Sequence, residues 1–163
     1  MMVFSVGDHV VHPLHGAGTI AQIPVRQGQR YYALHLALDG VVIYIPVQCS
    51  AGIGLRPVCS RSQALAILCG DIGPLPPQPH SWNQRYRENM ARIRSGDVRQ
   101  VAQVVACLRL RSRRRALAGG ERRMLECAEK ILHSELMLAI GTDADDIRRR
   151  LDAQWNRLNR RPG

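Results

Sequence analysis

Tyr31-Tyr-Ala-Leu-His-Leu-Ala-Leu-Asp-Gly-Val-Val-Ile-Tyr-Ile-Pro46 consists of two β-branched and aromatic runs either side of one Asp-Gly pair. Such runs suit a pleated, half-buried surface, and Asp39-Gly40 between them reads as a tight hairpin turn. Upstream, Val10-Val11 and Gly18-Thr-Ile20 are further short strands, set off by Gly7-Asp8, by Pro13 with Gly16, and by Gln27-Gly-Gln29. Four or five strands before Val58 predict a small, strongly bent barrel, with Tyr31, Leu34 and Leu36 facing Val41, Ile43 and Ile45 in its core. A sheet of this kind leaves an edge free to pair with a strand of another protein.

Downstream the period changes from two to 3.6. Ser60 with Gln63 is a capping box that opens a short helix through Ala64, Leu65, Ile67 and Leu68. Gly70 to His80 (GDIGPLPPQPH) cannot continue it and predicts a stiff connector. Ser81 with Gln84 repeats the capping pattern and puts Trp82 in the first turn of a helix that runs to about Arg94. Ser95-Gly-Asp97 breaks and recaps the chain, and Val98, Val101, Ala102, Val105 and Leu108 carry the next helix to about Arg114. Gly119-Gly120 reads as an interruption, followed by a long amphipathic helix on Met124, Leu125, Ala128, Ile131, Leu132 and Leu136. Gly141 is a natural C-cap, Thr142 with Asp145 a new start, and Ile147, Leu151, Trp155 and Leu158 mark a last helix. The expected fold class is α+β, β then α: a barrel over residues 1–58, a short helix and proline-rich connector over 59–80, and a helical bundle over 81–163.

Of the 163 residues 45% are hydrophobic and 22% charged, an ordinary globular composition, but the net charge is +10 and the pI near 10.4. The charge is uneven: the first 58 residues hold three arginines against two aspartates, and almost all of the excess follows them. All but Lys130 of the basic residues are arginine, which forks onto phosphates and stacks on flat rings. A near-neutral half joined to a basic half implies two partners, one of them polyanionic. Cys49, Cys59, Cys69, Cys107 and Cys127 are an odd number without a CxxC pair, as expected of reduced thiols inside a cell. The first residues resemble no signal peptide, and Val41 to Val47 is too short an apolar run to span a bilayer, so a cytoplasmic protein without membrane contact is expected. His9, His12 and His15 fall around Pro13, where a spacing of three does not converge on a metal, and Gly16-Ala-Gly18 reads as a turn because no helix follows it. No metal, cofactor or catalytic site is expected.

Trp82 stands out. At the first position of a helix a large apolar ring tends to project outward, with Arg85 and Arg87 beside it and four prolines before it. Two readings stay open: the ring packs the proline segment onto the helix, or it presses on nucleic acid. Arg92, Arg94 and Arg99, then Arg109 to Arg115, then Arg122 and Arg123 gather at helix ends near it and are candidates for phosphate contact. Arg148 to Arg150 and Arg160-Arg161 read as solvated faces.

Phe4-Ser-Val-Gly-Asp-His-Val-Val-His-Pro-Leu-His-Gly-Ala-Gly18, Ile45-Pro-Val47 and Gly54-Leu-Arg-Pro-Val58 resemble the RNA-polymerase-interacting domain shared by CarD, CdnL and the transcription-repair coupling factor. Trp82 with Arg85-Tyr-Arg-Glu-Asn89, Ser95-Gly-Asp97, Val101-Ala102, Gly120-Glu-Arg-Arg-Met-Leu125 and Ser134-Glu-Leu136 are similar to the helical domain of CarD and CdnL. The resemblance covers about residues 3–140. It implies a bacterial transcription regulator that is not an enzyme and needs no cofactor. It further implies a Tudor/SH3-like barrel that lends its sheet edge to the RNA polymerase β subunit, and a monomer reaching the nucleoid through polymerase. By position, Arg26 and the strand Val42, Ile43, Tyr44, Ile45 with Pro46 belong to the polymerase face. Trp82 becomes a minor-groove wedge at the upstream edge of the melted promoter, and Arg85, Arg87 and Arg122 become DNA-backbone contacts. Relatives commonly carry a basic residue where this chain has Tyr44. The alternatives are an architectural DNA-binding protein that acts without polymerase and a protein-only adaptor.

Overall fold

In the computed structural model, which describes residues 3–160, six strands come first: β1 (His9–His12), β2 (Gly16–Gln22), β3 (Val25–Arg26), β4 (Gln29–Leu36), β5 (Val42–Pro46) and β6 (Arg56–Pro57). All pairings are antiparallel. β4 is the hub, joined to β2, β3 and β5, while β1 lies between β2 and β6. Among the described residues β3, β5 and β6 each have one strand partner, so the bent sheet stays open along β5.

Side-chain alternation along β4 decides what lies inside. Tyr32, Leu34 and Leu36 share a face and pack with Phe4, Val10, Ile20, Ile45 and Leu55. The expected core therefore needs correcting at two positions. Tyr31 has the opposite parity to Leu34 and gives way to Tyr32, whose hydroxyl accepts the Phe4 N–H at 3.1 Å; Val41 lies in the loop and is exposed. The hairpin holds, but its connection spans residues 37–41, longer than a two-residue turn. Gly18 is required by close approach: a Cβ there would stand 2.3 Å from the His35 carbonyl oxygen on β4.

After a 3-10 turn (Val47–Cys49) come α1 (Ser50–Ile53), α2 (Arg61–Leu68), α3 (Trp82–Ile93), α4 (Val98–Arg114), α5 (Gly119–Ile140) and α6 (Ala144–Arg160). Ser60 caps α2 with both halves of the box in place: the Gln63 N–H donates to its hydroxyl at 3.1 Å and its own N–H donates to Gln63 Oε1 at 3.0 Å. The short helix α2 packs on the bundle. Ala64, Ile67 and Leu68 join Ile72 and the residues of α4, α5 and α6 in one core cluster. Asp97 caps α4, and Gly141, at φ 82°, ends α5. Gly119 and Gly120 form the first turn of α5 and do not interrupt the chain. Asp143, not Thr142, receives the Asp146 N–H at 2.8 Å at the start of α6; the Thr142 hydroxyl donates to the Asp146 carboxylate. Trp155 is buried with Ile147 and Leu151, as core packing requires. Arg161, read with Arg160 as a solvated pair, lies outside the described residues.

The barrel docks on α5. Val11 and Ala17 of the sheet belong to the helical core cluster. The Ala17 N–H donates to Ser134 Oγ at 2.8 Å, and a Cβ on Gly16 would meet that oxygen at 2.8 Å. Glu135, fully buried, accepts a fork of two 2.7 Å hydrogen bonds from Arg56 and a third from the Cys59 N–H at 2.8 Å. Three donors satisfy a carboxylate that would otherwise be costly to bury.

Candidate nucleic-acid and protein interfaces

Ser81 has extended backbone and its hydroxyl accepts the Gln84 N–H at 3.4 Å, which fixes the start of α3 and puts Trp82 at its first position. Gln84 does not return the bond; its amide donates to Glu88 instead. Trp82 is 41% exposed. It stacks on Tyr86, one turn further along, with ring centroids 5.3 Å apart and planes 16° from parallel. The edge of its six-membered ring lies on the first turn of α5, where a Cβ on Gly120 would meet Cζ2 at 2.8 Å. Trp82 is thus braced by Tyr86 and Gly120 with nearly half its surface in solvent.

Arg85 is not on the surface. It is 5% exposed. Its guanidinium donates to the Pro79 and His80 carbonyls at 3.0 and 2.5 Å and to Glu121 at 3.2 Å. At the position expected to contact the DNA backbone, the guanidinium is buried and holds the peptide units just before Trp82. Its partner Glu121 also faces Arg111 at 3.3 Å, so one buried carboxylate ties the first turns of α3 and α5 to the end of α4. Sequence reasoning missed Glu121; a lone acid between the glycine pair and two arginines was its only signal. Arg87 and Arg122 are exposed and make no ion pair among the described residues, which leaves both guanidinium groups open to an anion.

The free edge of β5 forms a second candidate surface about the barrel. Val42 and Tyr44 point outward and are exposed, while Ile45 turns into the core, so Ile45 offers a partner its backbone only. Ile43 is half-buried against the barrel core, and Pro46 lacks an N–H to donate. Arg26 lies 4.6 Å above the Tyr44 ring. An aromatic residue at this position thus still displays a cation, carried by its neighbour.

The remaining polar groups read as structural. His12 Nδ1 accepts the Leu14 and His15 N–H groups, and burial with the neighbouring His15 lowers its pKa to about 4. His9 pairs with Thr19. Burial pushes the Cys59 and Cys107 thiols up to about 12 and about 11, far from the thiolate form. No cluster of three His, Cys, Asp or Glu suited to a metal occurs among the described residues, and no helix there is long and apolar enough to cross a membrane.

An open-edged bent barrel is clasped to a basic bundle, with a braced indole at one end. Residues 4–59 match the CarD-like/TRCF RID domain and residues 65–152 match the CarD C-terminal domain. The chain belongs to the CarD-like family of transcription factors, which are not enzymes. It is similar to "Putative transcription factor YdeB" of Bacillus subtilis (strain 168), with 30% identity over 154 residues, covering 90% of this chain and 98% of the relative.

Proposed function

We propose that this transcription regulator grips the RNA polymerase β subunit along the free edge of β5 and stabilises the melted promoter with Trp82. The observation that carries this reading is the half-exposed indole stacked on Tyr86 and edged against Gly120 at the mouth of α3. Inserting an apolar ring in the minor groove costs the unstacking of a base step, a few kcal/mol, and a melted edge has already met that cost. The wedge therefore binds open promoter better than closed promoter and shifts the population toward the open complex. Arg87 and Arg122 hold the flanking phosphates, which adds affinity without sequence preference. Val42, Ile43, Tyr44, Ile45 and Pro46, with Arg26 beside them, form the polymerase face. Tethering through that face raises the local concentration of a weak DNA binder, so promoter choice is left to polymerase. The protein acts in this way as a monomer, in the cytoplasm and at the nucleoid.

Trp82→Ala tests the reading. Pull-down of a β fragment should be unchanged while the open-complex lifetime falls about tenfold, equivalent to roughly 1.4 kcal/mol. An unchanged lifetime would rule out the wedge. Tight binding to naked duplex without capture of β would favour an architectural role instead.

A further inference from the structure

Seven arginines without an ion pair gather at one end of the bundle; Arg61, bonded to the Ile140 carbonyl, and Arg94, at the end of α3 remote from Trp82, are exposed without one elsewhere. The three acids at the start of α6, Asp143, Asp145 and Asp146, mark the other end, and there Arg148, Arg149 and Arg150 are paired within the helix to Asp145 and Asp146. Along α4, Arg109 is taken by Glu129 and Asp152, and Arg111 by Glu121. Beyond Arg111 the pairing stops. Arg113, Arg114 and Arg115 at the end of α4, Arg122 and Arg123 at the start of α5, and Arg157 and Arg160 at the end of α6 are exposed without an ion pair among the described residues.

Three contacts put these termini together. Arg113 donates to Asn156 of α6 at 2.7 Å, Arg111 faces Glu121 of α5, and Trp82 rests on Gly120. One end of the bundle therefore carries the indole and seven unneutralised guanidinium groups, with Glu121 already taken by Arg85 and Arg111. Helix dipoles account for cations at the C-termini of α4 and α6. They do not account for Arg122 and Arg123, which stand at an N-terminus where a positive charge is disfavoured. Trp155 and Leu151 hold the inner face of α6 in the core, so Arg157 and Arg160 are presented outward by a rigid helix.

We infer that the C-terminal end of α6, through Arg157 and Arg160, is part of the DNA surface and holds duplex phosphates beside the Trp82 site. Phosphodiester backbone is the ligand this end suits, since forked, unpaired guanidinium groups match phosphate and nothing in the set reads bases. The inference rests on the DNA-contacting role proposed for this end of the bundle and extends it beyond residues 65–152, the span matched by the family's C-terminal domain.

The experiment compares the full chain with Arg157→Gln/Arg160→Gln, Arg148→Gln/Arg149→Gln and Trp82→Ala. Each is titrated with a labelled forked duplex at several salt concentrations, and thermal melts confirm folding. The Arg157/Arg160 pair should lose roughly five- to tenfold in affinity at low salt. Its slope of log K against log salt should fall by about 0.9 for each phosphate contact removed. The Arg148/Arg149 pair, of the same charge change, should lose far less. Equal losses in the two pairs would reduce the effect to net charge and overturn the inference, as would no loss from Arg157/Arg160. If that pair has no effect while Trp82→Ala weakens binding, the α6 surface is wrong and the wedge stands. If Trp82→Ala alone has no effect, the wedge is wrong and the α6 surface stands.

Discussion

The Arg85 guanidinium lies 3.2 Å from the Glu121 carboxylate, with only 6% of either side chain exposed, and joins the first turn of α3 to the first turn of α5. The same guanidinium holds the carbonyls of Pro79 and His80, so this pair fixes the peptide units from which Trp82 emerges. Removing one partner of a buried pair leaves the other charge stranded, at a cost of about 3–5 kcal/mol. Arg85→Ala and Glu121→Ala should each lower the melting temperature sharply. Arg87→Ala, at an exposed site two residues away, should leave the melt unchanged and only reduce the salt dependence of DNA binding. Chemical denaturation of the three variants distinguishes them; equal stability of Arg85→Ala and Arg87→Ala would contradict the burial of Arg85.

Gly120 trades helix propensity for room. Alanine in a helix is favoured over glycine by about 1 kcal/mol, yet its Cβ would strike the Trp82 ring. Gly120→Ala should keep or slightly raise thermal stability while swinging the indole away from α5. In a Trp155→Phe background, the emission of Trp82 should shift to the red and acrylamide quenching should increase. An unmoved spectrum would mean that the ring does not rest on this turn.

Glu135 clasps the two halves together. Glu135→Ala would strand Arg56 and the Cys59 N–H, and should cost about 3 kcal/mol or more. Glu135→Gln keeps an acceptor and should cost less. The clasp joins barrel to bundle, so residual dipolar couplings should report altered relative orientation of the halves in Glu135→Ala while both retain their own folds. Unchanged couplings would show that the core contacts of Val11 and Ala17 suffice.

Acid should weaken the fold through His12. Its folded pKa is depressed, so as pH falls the unfolded chain binds the proton first. Stability is therefore whole above the ordinary value of 6.5 and is lost as pH drops from there to about 4. The loss for this one group is roughly 3 kcal/mol. Urea unfolding at pH 7.5 and pH 4.5 measures it, and His12→Asn, which retains an acceptor for the two turn amides, should flatten the difference. An equal difference in both proteins would place the pH sensitivity elsewhere.

Much of the fold was legible locally. The caps at Ser60, Ser81 and Asp97 and the stop at Gly141 are interactions over three or four residues, and each forms where the pattern put it. The errors have local causes as well. Tyr31 and Tyr32 are equivalent in composition, and only the registers of β2, β4 and β5 choose Tyr32 for the core. Gly119 and Gly120 read as a break because their propensity is poor, and the neighbour that makes glycine necessary at 120 is 38 positions away in Trp82.

The sequence by itself determined a barrel followed by a bundle, a basic second half, the helix start that presents Trp82 and the family to which the chain belongs. Only the tertiary structure decided which arginines are free. Arg85 and Arg87 are indistinguishable in type and lie two apart, yet one faces Glu121 across 36 residues and the other faces water. Likewise Glu135 is a surface acid by composition and becomes the buried clasp because Arg56 arrives from 79 residues away. Periodicity and capping report interactions within a turn or two of helix. The fate of a charge depends on which partner the fold brings within about 3 Å, and that distance is set by packing between elements far apart in the chain.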